Sequence, residues 1–315
     1  MQHLLLKPGH SSTGVLTSTK TVVLAYCLVA IPYLILCLHL PTAVLTGAVG
    51  DDVIYWTQAQ QILQGNWLGP YGELTLAKGS GFSLLLAINY LTGLPVTLSI
   101  ALLYSGGVLA VTSSLRYLGL GVWSRWTLFV VVLWLPSMAP IRIVRDAIYP
   151  SLLLFALGGL ISALLAQGQL RHRLLPALGG GIAVGLLWIT REEGPWILPG
   201  LLLLIAGLLF VRFRHGNEQR QSIAALGIWI AGAVTTVGVI ALMNFIFYGA
   251  LITTDTTTGA YTRMLSTISS VGPERDNSLI PVPREVRENI YRVSPSFREM
   301  RTRLEEPGNG RLQAG

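Results

Sequence analysis

The sequence predicts an all-α membrane protein that crosses the bilayer about seven times. Three observations predict this class: 52% of the residues are hydrophobic, only 12% are charged, and the mean hydropathy is +0.59. A soluble domain carries roughly 25% charged residues. The net charge of +7 does not indicate a nucleic-acid partner, because the basic residues are spread over short loops rather than gathered with aromatic residues in one patch.

Seven apolar stretches are long enough to cross the bilayer, which needs about 20 residues of helix. They cover residues 21–46, 95–117, 124–141, 147–167, 174–190, 194–212 and 222–247. Residues 80–92 are also apolar, but a helix of this length reaches only about 20 Å, less than the roughly 30 Å of a hydrocarbon core. We expect this segment to be re-entrant or to lie at the membrane interface.

Seven crossings separate the charged residues by sign. The basic loops then share one side, which is cytoplasmic by the positive-inside rule; they carry Lys7, Lys20, Arg116, Arg125, Arg171, Arg173, Arg212, Arg214 and Arg220, with Glu218 as the single acid. The outer side receives residues 47–94, the turns at 142–146 and 191–193, and the tail. The sequence therefore predicts a multi-pass protein of the plasma (inner) membrane, with a cytoplasmic N terminus.

An acidic doublet, Asp51 and Asp52, opens the first outer loop, residues 47–94. Ionisable groups at a membrane boundary are costly, which makes them candidates for function. The pattern that follows is helical, with an apolar stripe opposite a polar one, and predicts an amphipathic helix on the membrane surface. The apolar stripe holds Val53, Trp56, Ala59, Ile62 and Leu63, and the polar stripe holds Asp52, Tyr55, Gln58 and Gln61. Asp51 and Tyr55 are four residues apart, so we expect them to share a face over one cleft.

The order of these features resembles the GT-C superfamily of integral-membrane glycosyltransferases. An acidic pair opens the loop after one span, a tyrosine follows one turn later, and an A-x-x-I-L-x-G-x-W helix and a K-G-x-G segment precede a short apolar stretch. Within that superfamily, the order of features is similar to that of protein O-mannosyltransferases and aminoarabinose lipid A transferases. The resemblance implies an enzyme that takes a sugar from a polyprenyl-phosphate donor on the outer side of the membrane and uses an acid at this loop position. Residues 1–247 would form its transmembrane domain.

The chemistry of such a donor indicates which residues to consider. The phosphate is already a good leaving group, so the protein mainly has to deprotonate an acceptor hydroxyl and stabilise phosphate charge. Adjacent carboxylates disfavour each other's ionisation, and either Asp51 or Asp52 is a candidate general base. The candidate phosphate ligands are Lys78, Arg142, Arg145 and Arg191. Glu192 and Glu193 would hold Arg191 in place or bind a divalent cation such as Mg or Mn.

Each of these residues also has a structural interpretation. The doublet can mark the water-side end of a helix, Arg145 can pair with Asp146, and residues 191–193 can be boundary charges. The glycine run at 179–185 indicates close helix packing rather than a nucleotide loop. A transporter or flippase for a lipid-linked or anionic substrate is the alternative function, although the two halves of the sequence show no repeat symmetry. A non-enzymatic scaffold would not require the clustering of acids.

The tail, residues 248–315, changes composition abruptly and is nearly neutral, with nine arginines against eight acids. We expect an extracytoplasmic segment that begins a further domain and recognises the acceptor, and a disordered end is the alternative. The expected partners are a polyprenyl-phosphate-linked sugar, a lipid, glycan or protein acceptor, and membrane lipids.

Overall fold

The computed structural model describes residues 19–42, 51–72, 74–135, 145–168, 170–191, 194–215, 219–270 and 284–305. Throughout these ranges the regular secondary structure is helical, as the composition predicts. The protein divides into two compact units, Met1–Thr253 and Thr254–Gly315. The boundary predicted from composition, after residue 247, lies at the end of the last helix of the first unit.

The described part of the first unit contains nine α-helices. They are α1 (Thr19–His39), α2 (Asp51–Leu63), α3 (Gly81–Thr92), α4 (Val96–Ser114), α5 (Val122–Leu133), α6 (Tyr149–Leu165), α7 (Arg171–Thr190), α8 (Leu198–His215) and α9 (Gln219–Tyr248). Short 3-10 turns extend α4 and precede α6 and α8; they cover Leu115–Leu118, Arg145–Ala147 and Gly194–Ile197.

Five helical stretches are long and apolar enough to cross a membrane. They are Lys20–His39, Val96–Leu118, Arg145–Leu165, His172–Thr190 and Gln219–Tyr248, and they correspond to five of the seven predicted spans. Of the other two, 124–141 contains the 12-residue α5 and continues beyond the described residues, and 194–212 overlaps the 18-residue α8. Aliphatic side chains such as Leu203 and Val234 are 76% and 65% exposed. The protein is therefore a membrane protein whose apolar helices present aliphatic surface to lipid.

The glycine run at 179–185 packs α7 against α9, as the sequence predicts. A Cβ on Gly181 would overlap the carbonyl oxygen of Trp229, and a Cβ on Gly185 would crowd Thr236. Small residues allow backbones to approach this closely, and van der Waals packing is what holds helices together in lipid. Because these contacts advance in the same order along both helices, α7 and α9 run parallel.

Helices α4 and α6 are also parallel neighbours. Gly107 of α4 lies against the carbonyl oxygen of Ser151, where a Cβ would come to 2.7 Å, and Gly158 of α6 lies against Ala110 at the same spacing. Two pairs of parallel helices have a topological consequence. The chain between α4 and α6, which includes α5, and the chain between α7 and α9, which includes α8, must return to the end where the first helix of each pair began.

Two buried arginines lie at one end of the first unit, which we name the arginine end and define by Arg173, Arg212 and Ser222. The guanidinium groups of Arg173 and Arg212 donate to Ser222 Oγ at 2.6 and 3.1 Å. Ser222 in turn donates to the carbonyl oxygen of Leu164 at 2.9 Å, at the C-terminal end of α6. The hydroxyl thus ties the ends of α6, α7, α8 and α9 together.

The regular secondary structure of the second unit is helical in the part of the chain that the structure describes. Its helices are α10 (Gly259–Ser270), α11 (Arg284–Val293), α12 (Pro295–Glu299) and α13 (Arg301–Glu305). Buried Arg287 binds Glu305 Oε1 at 3.0 Å, and the hydroxyl of Tyr291 donates to the same oxygen at 3.1 Å. The guanidinium of Arg287 holds the pKa of the Glu305 carboxyl below its usual range. These contacts connect α11 to α13 within residues 284–305.

Candidate functional site

Helix α2 buries much of its predicted polar stripe and exposes part of its predicted apolar stripe. Asp52 and Tyr55 have no exposed surface, whereas Val53 and Trp56 are 41% and 45% exposed and Ala59 is buried. The sequence predicts this helix from Asp52 to Gln64, and it covers Asp51–Leu63. A helix that lies on a membrane by its apolar face would turn its polar stripe to water.

Hydrogen bonds explain this orientation. The side-chain amide of Gln58 donates to the carbonyl oxygen of Thr75 at 3.0 Å, and Ser83 of α3 donates to the amide oxygen of Gln58 at 2.7 Å. Tyr55 stands edge-on to Phe82 with ring centroids 5.4 Å apart. Because both ends of the Gln58 amide are satisfied, its burial carries little penalty, and α2 and α3 pack as one hairpin.

The two acids of the doublet have different environments because successive helical residues point about 100° apart. Asp51 lies at the edge of the hairpin, where its side chain is 41% exposed and its Oδ2 is 3.2 Å from Lys78 Nζ. Asp52 is enclosed. Tyr55, which we expected beside Asp51 over an open cleft, is also enclosed, so Asp51 is the member of this group that a substrate can reach.

The K-G-S-G segment after α2 is pressed against the C-terminal end of α7. A Cβ on Gly79 would overlap the carbonyl oxygen of Ile189, and a Cβ on Gly81 would overlap the hydroxyl oxygen of Thr190. Backbone contact this close is possible only for glycine. It sets Lys78, just before the first glycine, beside the segment that leads into residue 191.

Arg191 is held by two groups from the start of α6. Its guanidinium binds Asp146 Oδ1 at 2.8 Å and lies over the ring of Tyr149, 5.2 Å from the centroid. Asp146 sits in the 3-10 turn that begins at Arg145, so the carboxylate considered as a partner of Arg145 binds Arg191. We name the region defined by Asp51, Lys78, Asp146 and Arg191 the site end.

The loop that follows α2 is fastened to the end of α9. Trp67 has a φ of 53°, unusual for a bulky residue, and its indole N–H donates to Asn244 Oδ1 at 2.8 Å. The amide of buried Asn244 donates to the carbonyl oxygen of Ile252 at 2.7 Å. The hydroxyl of Tyr248 donates to the carbonyl oxygen of Gly69 at 2.9 Å. These bonds fix the base of the hairpin that carries Asp51.

The structure thus brings several predicted residues together. Asp51 contacts Lys78 directly. Arg191 follows the segment of α7 that contacts the loop of Lys78. Asp52 and Tyr55 lie buried within the same hairpin. Arg142, Glu192 and Glu193 lie outside the described residues. Sequence reasoning missed Tyr149 and the binding of Arg191 by Asp146. The two glycines of K-G-S-G, one residue apart, were the available signal for close backbone contact.

A bound divalent cation would need several ligand side chains that converge on one point. Within the described residues, no three histidine, cysteine, aspartate or glutamate side chains converge as metal ligands do. The predicted candidates for such a role, Glu192 and Glu193, are not among those residues.

The site end combines an accessible carboxylate with a lysine and an arginine. Fixed cations of this kind suit an anionic substrate, and the planar arginine group suits phosphate. Comparisons of the sequence with protein-family models and with curated proteins, and of the fold with solved structures, find no match.

Proposed function

We propose that the protein is a membrane glycosyltransferase, which moves a sugar from a polyprenyl-phosphate donor to a lipid, glycan or protein acceptor on the extracytoplasmic side. The observation that carries the proposal is the pair of Asp51 and Lys78, 3.2 Å apart and partly exposed. A carboxylate that can accept a proton and a cation that can bind phosphate stand side by side. The resemblance to GT-C enzymes in the same loop supports this function over that of a transporter.

Asp51 is the general base of the proposed reaction. It takes the proton of the acceptor hydroxyl while the hydroxyl oxygen forms a bond to the anomeric carbon of the sugar. The bond between that carbon and the phosphate oxygen breaks, and its electron pair leaves with the polyprenyl phosphate. Asp52 is enclosed, so it acts as a positioning residue within the hairpin.

The cations stabilise the charge that develops on the leaving phosphate. Lys78 is the nearer candidate because it already faces Asp51. Arg191 emerges from the segment against which the K-G-S-G loop packs, and Asp146 and Tyr149 orient its guanidinium. Fixed charges at the point where charge develops are usually a large part of an enzyme's rate acceleration.

The proposal includes seven crossings, with the site end outside. If only the five long helices crossed, α6 would begin in the cytoplasm, and Lys78 and Arg191 would lie on opposite sides of the membrane. The contact of Gly79 with Ile189 argues against that arrangement. Return crossings by the segments that contain α5 and α8 put both cations on one side, in agreement with the positive-inside rule.

The test replaces each acid of the doublet by its amide. Asp51→Asn removes the proton acceptor and should lower turnover by roughly 10²- to 10⁴-fold. Asp52→Asn should retain more activity, because it alters support and not the reacting group. The full-length protein is purified and incubated with labelled polyprenyl-phosphate sugars and an envelope extract as the source of acceptors, and transfer of label is measured.

Arg116→Gln is the control, since it also replaces an exposed charge by an amide, but just after the C-terminal end of α4, where Arg116 donates to the hydroxyl of Tyr117. It should transfer sugar like the parent protein. A monodisperse elution profile for every variant shows that the fold is kept. Full activity in both Asn variants would reject the doublet as the source of the general base.

A further inference from the structure

The K-G-S-G segment contains a polar group that the fold does not use. Ser80 is 1% exposed, and its hydroxyl has no hydrogen-bond partner among the described residues. Ser83, one turn later, donates to Gln58. A buried hydroxyl without a partner is unfavourable, and next to Lys78 it is a donor available to an anionic ligand.

Ser80 occupies the N-cap position of α3 but does not cap the helix. Its backbone is helical, with φ −77° and ψ −8°, and its side chain makes no capping bond. An N-cap serine normally has an extended backbone, which lets its oxygen accept from the second or third N–H of the helix. The first intrahelical donor is Leu84, bonded to the Ser80 carbonyl at 3.0 Å. The N–H groups of residues 81–83 thus keep their hydrogen-bonding capacity at the helix end.

We infer that the N-terminal end of α3 is a phosphate-binding subsite, formed by the hydroxyl of Ser80, the N–H groups of residues 81–83 and the ammonium of Lys78. Helix N-termini attract anions because their N–H groups and dipole point the same way. The hydroxyl supplies a further donor, and the lysine supplies the charge. The inference rests on the proposed function, because the phosphate assigned to the subsite is that of the lipid-linked donor.

The exposed part of the proposed subsite is the pair of Asp51 and Lys78, whose side chains are 41% and 26% exposed. A phosphate that enters takes the place of the Asp51 carboxylate on Lys78 Nζ. This exchange leaves Asp51 without its counter-ion and ready to accept a proton. Binding of the donor phosphate therefore also releases the Asp51 carboxylate from Lys78.

The decisive variant is Ser80→Ala, measured by binding and by thermal unfolding of the full-length protein in detergent. The probes are farnesyl phosphate, inorganic phosphate and farnesol. We expect farnesyl phosphate to bind roughly tenfold more weakly, the loss typical of one hydrogen bond to a charged group, and farnesol to bind unchanged. The melting temperature should stay the same or rise, because an unpartnered hydroxyl has been removed.

Asn89→Ala is the matched control. Asn89 is 4% exposed and its side-chain nitrogen also has no partner among the described residues, but it lies near the C-terminal end of α3, away from the N–H groups that begin the helix. Its removal should leave the affinity for all three probes unchanged. Lys78→Met is the second variant, and it should weaken both phosphate probes at least as much as Ser80→Ala does.

Four outcomes decide between the subsite and the proposed function. A loss confined to phosphate-bearing probes supports it, and tighter binding of farnesyl phosphate than of inorganic phosphate identifies a lipid as the source. A Ser80→Ala protein that melts lower and binds both phosphates unchanged overturns the subsite. Intact phosphate binding in a protein that transfers no sugar would reject the proposed function alone, and Asp51-dependent transfer with Ser80-independent binding would reject the subsite alone.

Discussion

At the site end, the chemistry that a residue of α2 can perform depends on whether packing buries its side chain or leaves it exposed. Asp51 and Asp52 are chemically identical neighbours, yet one is accessible beside Lys78 and the other is enclosed. The sequence predicts the helix and its polar stripe from periodicity alone. Periodicity could not show which of the two acids is exposed, because the orientation of α2 depends on the bonds of Gln58 with Thr75 and Ser83. No local sequence pattern predicts these bonds.

Asn244 provides a test at this scale. In Asn244→Ala the indole N–H of Trp67 and the carbonyl oxygen of Ile252 both lose their partner, and the strained backbone of Trp67 loses its restraint. Leaving such buried groups unpaired costs about 1–3 kcal/mol. The free energy of unfolding in detergent should fall by that amount, and limited proteolysis should cut the loop after α2 more readily.

Asn244→Asp refines the same test, because it keeps an acceptor for Trp67 but loses the donor to Ile252. It should therefore destabilise the protein, as the alanine variant does. Asn289→Ala is the control, since Asn289 is exposed and bonded only to the neighbouring Arg292 in the described structure. Equal stability of Asn244→Ala and the parent protein would show that the hydrogen bonds of Asn244 do not hold the loop.

At the scale of elements, the site depends on backbone contact between a loop and a helix end. The sequence identifies the helices well, since α2 and α3 follow the predicted periodicity and end near glycines. The contact of K-G-S-G with α7 was not predictable, because it joins segments more than 100 residues apart. Only the pair of glycines around Ser80 hinted that something must approach closely there.

Alanine at the two glycines should have graded effects. Gly79→Ala drives a methyl group into the backbone carbonyl of Ile189, which has no rotamer to change, whereas Gly81→Ala meets the side chain of Thr190. Overpacking of this kind costs about 1–3 kcal/mol. We expect Gly79→Ala to melt lowest, Gly81→Ala to melt at an intermediate temperature, and both to lose sugar transfer as Lys78 is displaced.

Gly72→Ala serves as the control for these variants. The nearest atom to its added Cβ would be Thr75 Oγ1 at 3.8 Å, an ordinary contact. Its melting temperature and transfer activity should match those of the parent protein. A Gly79→Ala protein as stable as Gly72→Ala would mean that the loop does not press on α7.

For the whole molecule, hydropathy predicts the membrane class and most of the helix bounds. Positive-inside counting predicts sidedness. The parallel pairs α4–α6 and α7–α9 indicate only that the chain returns between the two members of each pair. What the sequence could not supply is which helices are neighbours, because in lipid the contacts depend on small residues such as Gly181 and not on a hydrophobic pattern. The folding of residues 284–305 was left open for a similar reason, since its ion pair joins Arg287 to distant Glu305.

Sidedness can be measured with single cysteines and an impermeant thiol reagent in intact cells. We expect labelling at exposed Tyr71→Cys, Trp196→Cys and Val293→Cys. Gln167→Cys, exposed near the end of α6, should react only after permeabilisation. The physical reason is the asymmetric placement of basic loops.

The background for this experiment lacks Cys27 and Cys37, the two free cysteines. Trp196→Cys is the diagnostic position, because five crossings and seven crossings put it on opposite sides. Reaction of Trp196→Cys only in permeabilised cells would contradict the seven-crossing topology, whatever the result at Tyr71→Cys.

The hydrogen bonds between the loop after α2 and helix α9 also determine when this loop can reach its final structure during synthesis. Trp67 and Asn244 are 177 positions apart in the chain, and Gly69 and Tyr248 are 179 apart. At about 5–20 residues per second, the ribosome needs on the order of ten to forty seconds to make the second partner after the first. During that interval Asn244 and Tyr248 have not yet been made, so their bonds cannot hold Trp67 and Gly69 in place. The loop beside Asp51 therefore matures last, when the final helix of the first unit arrives.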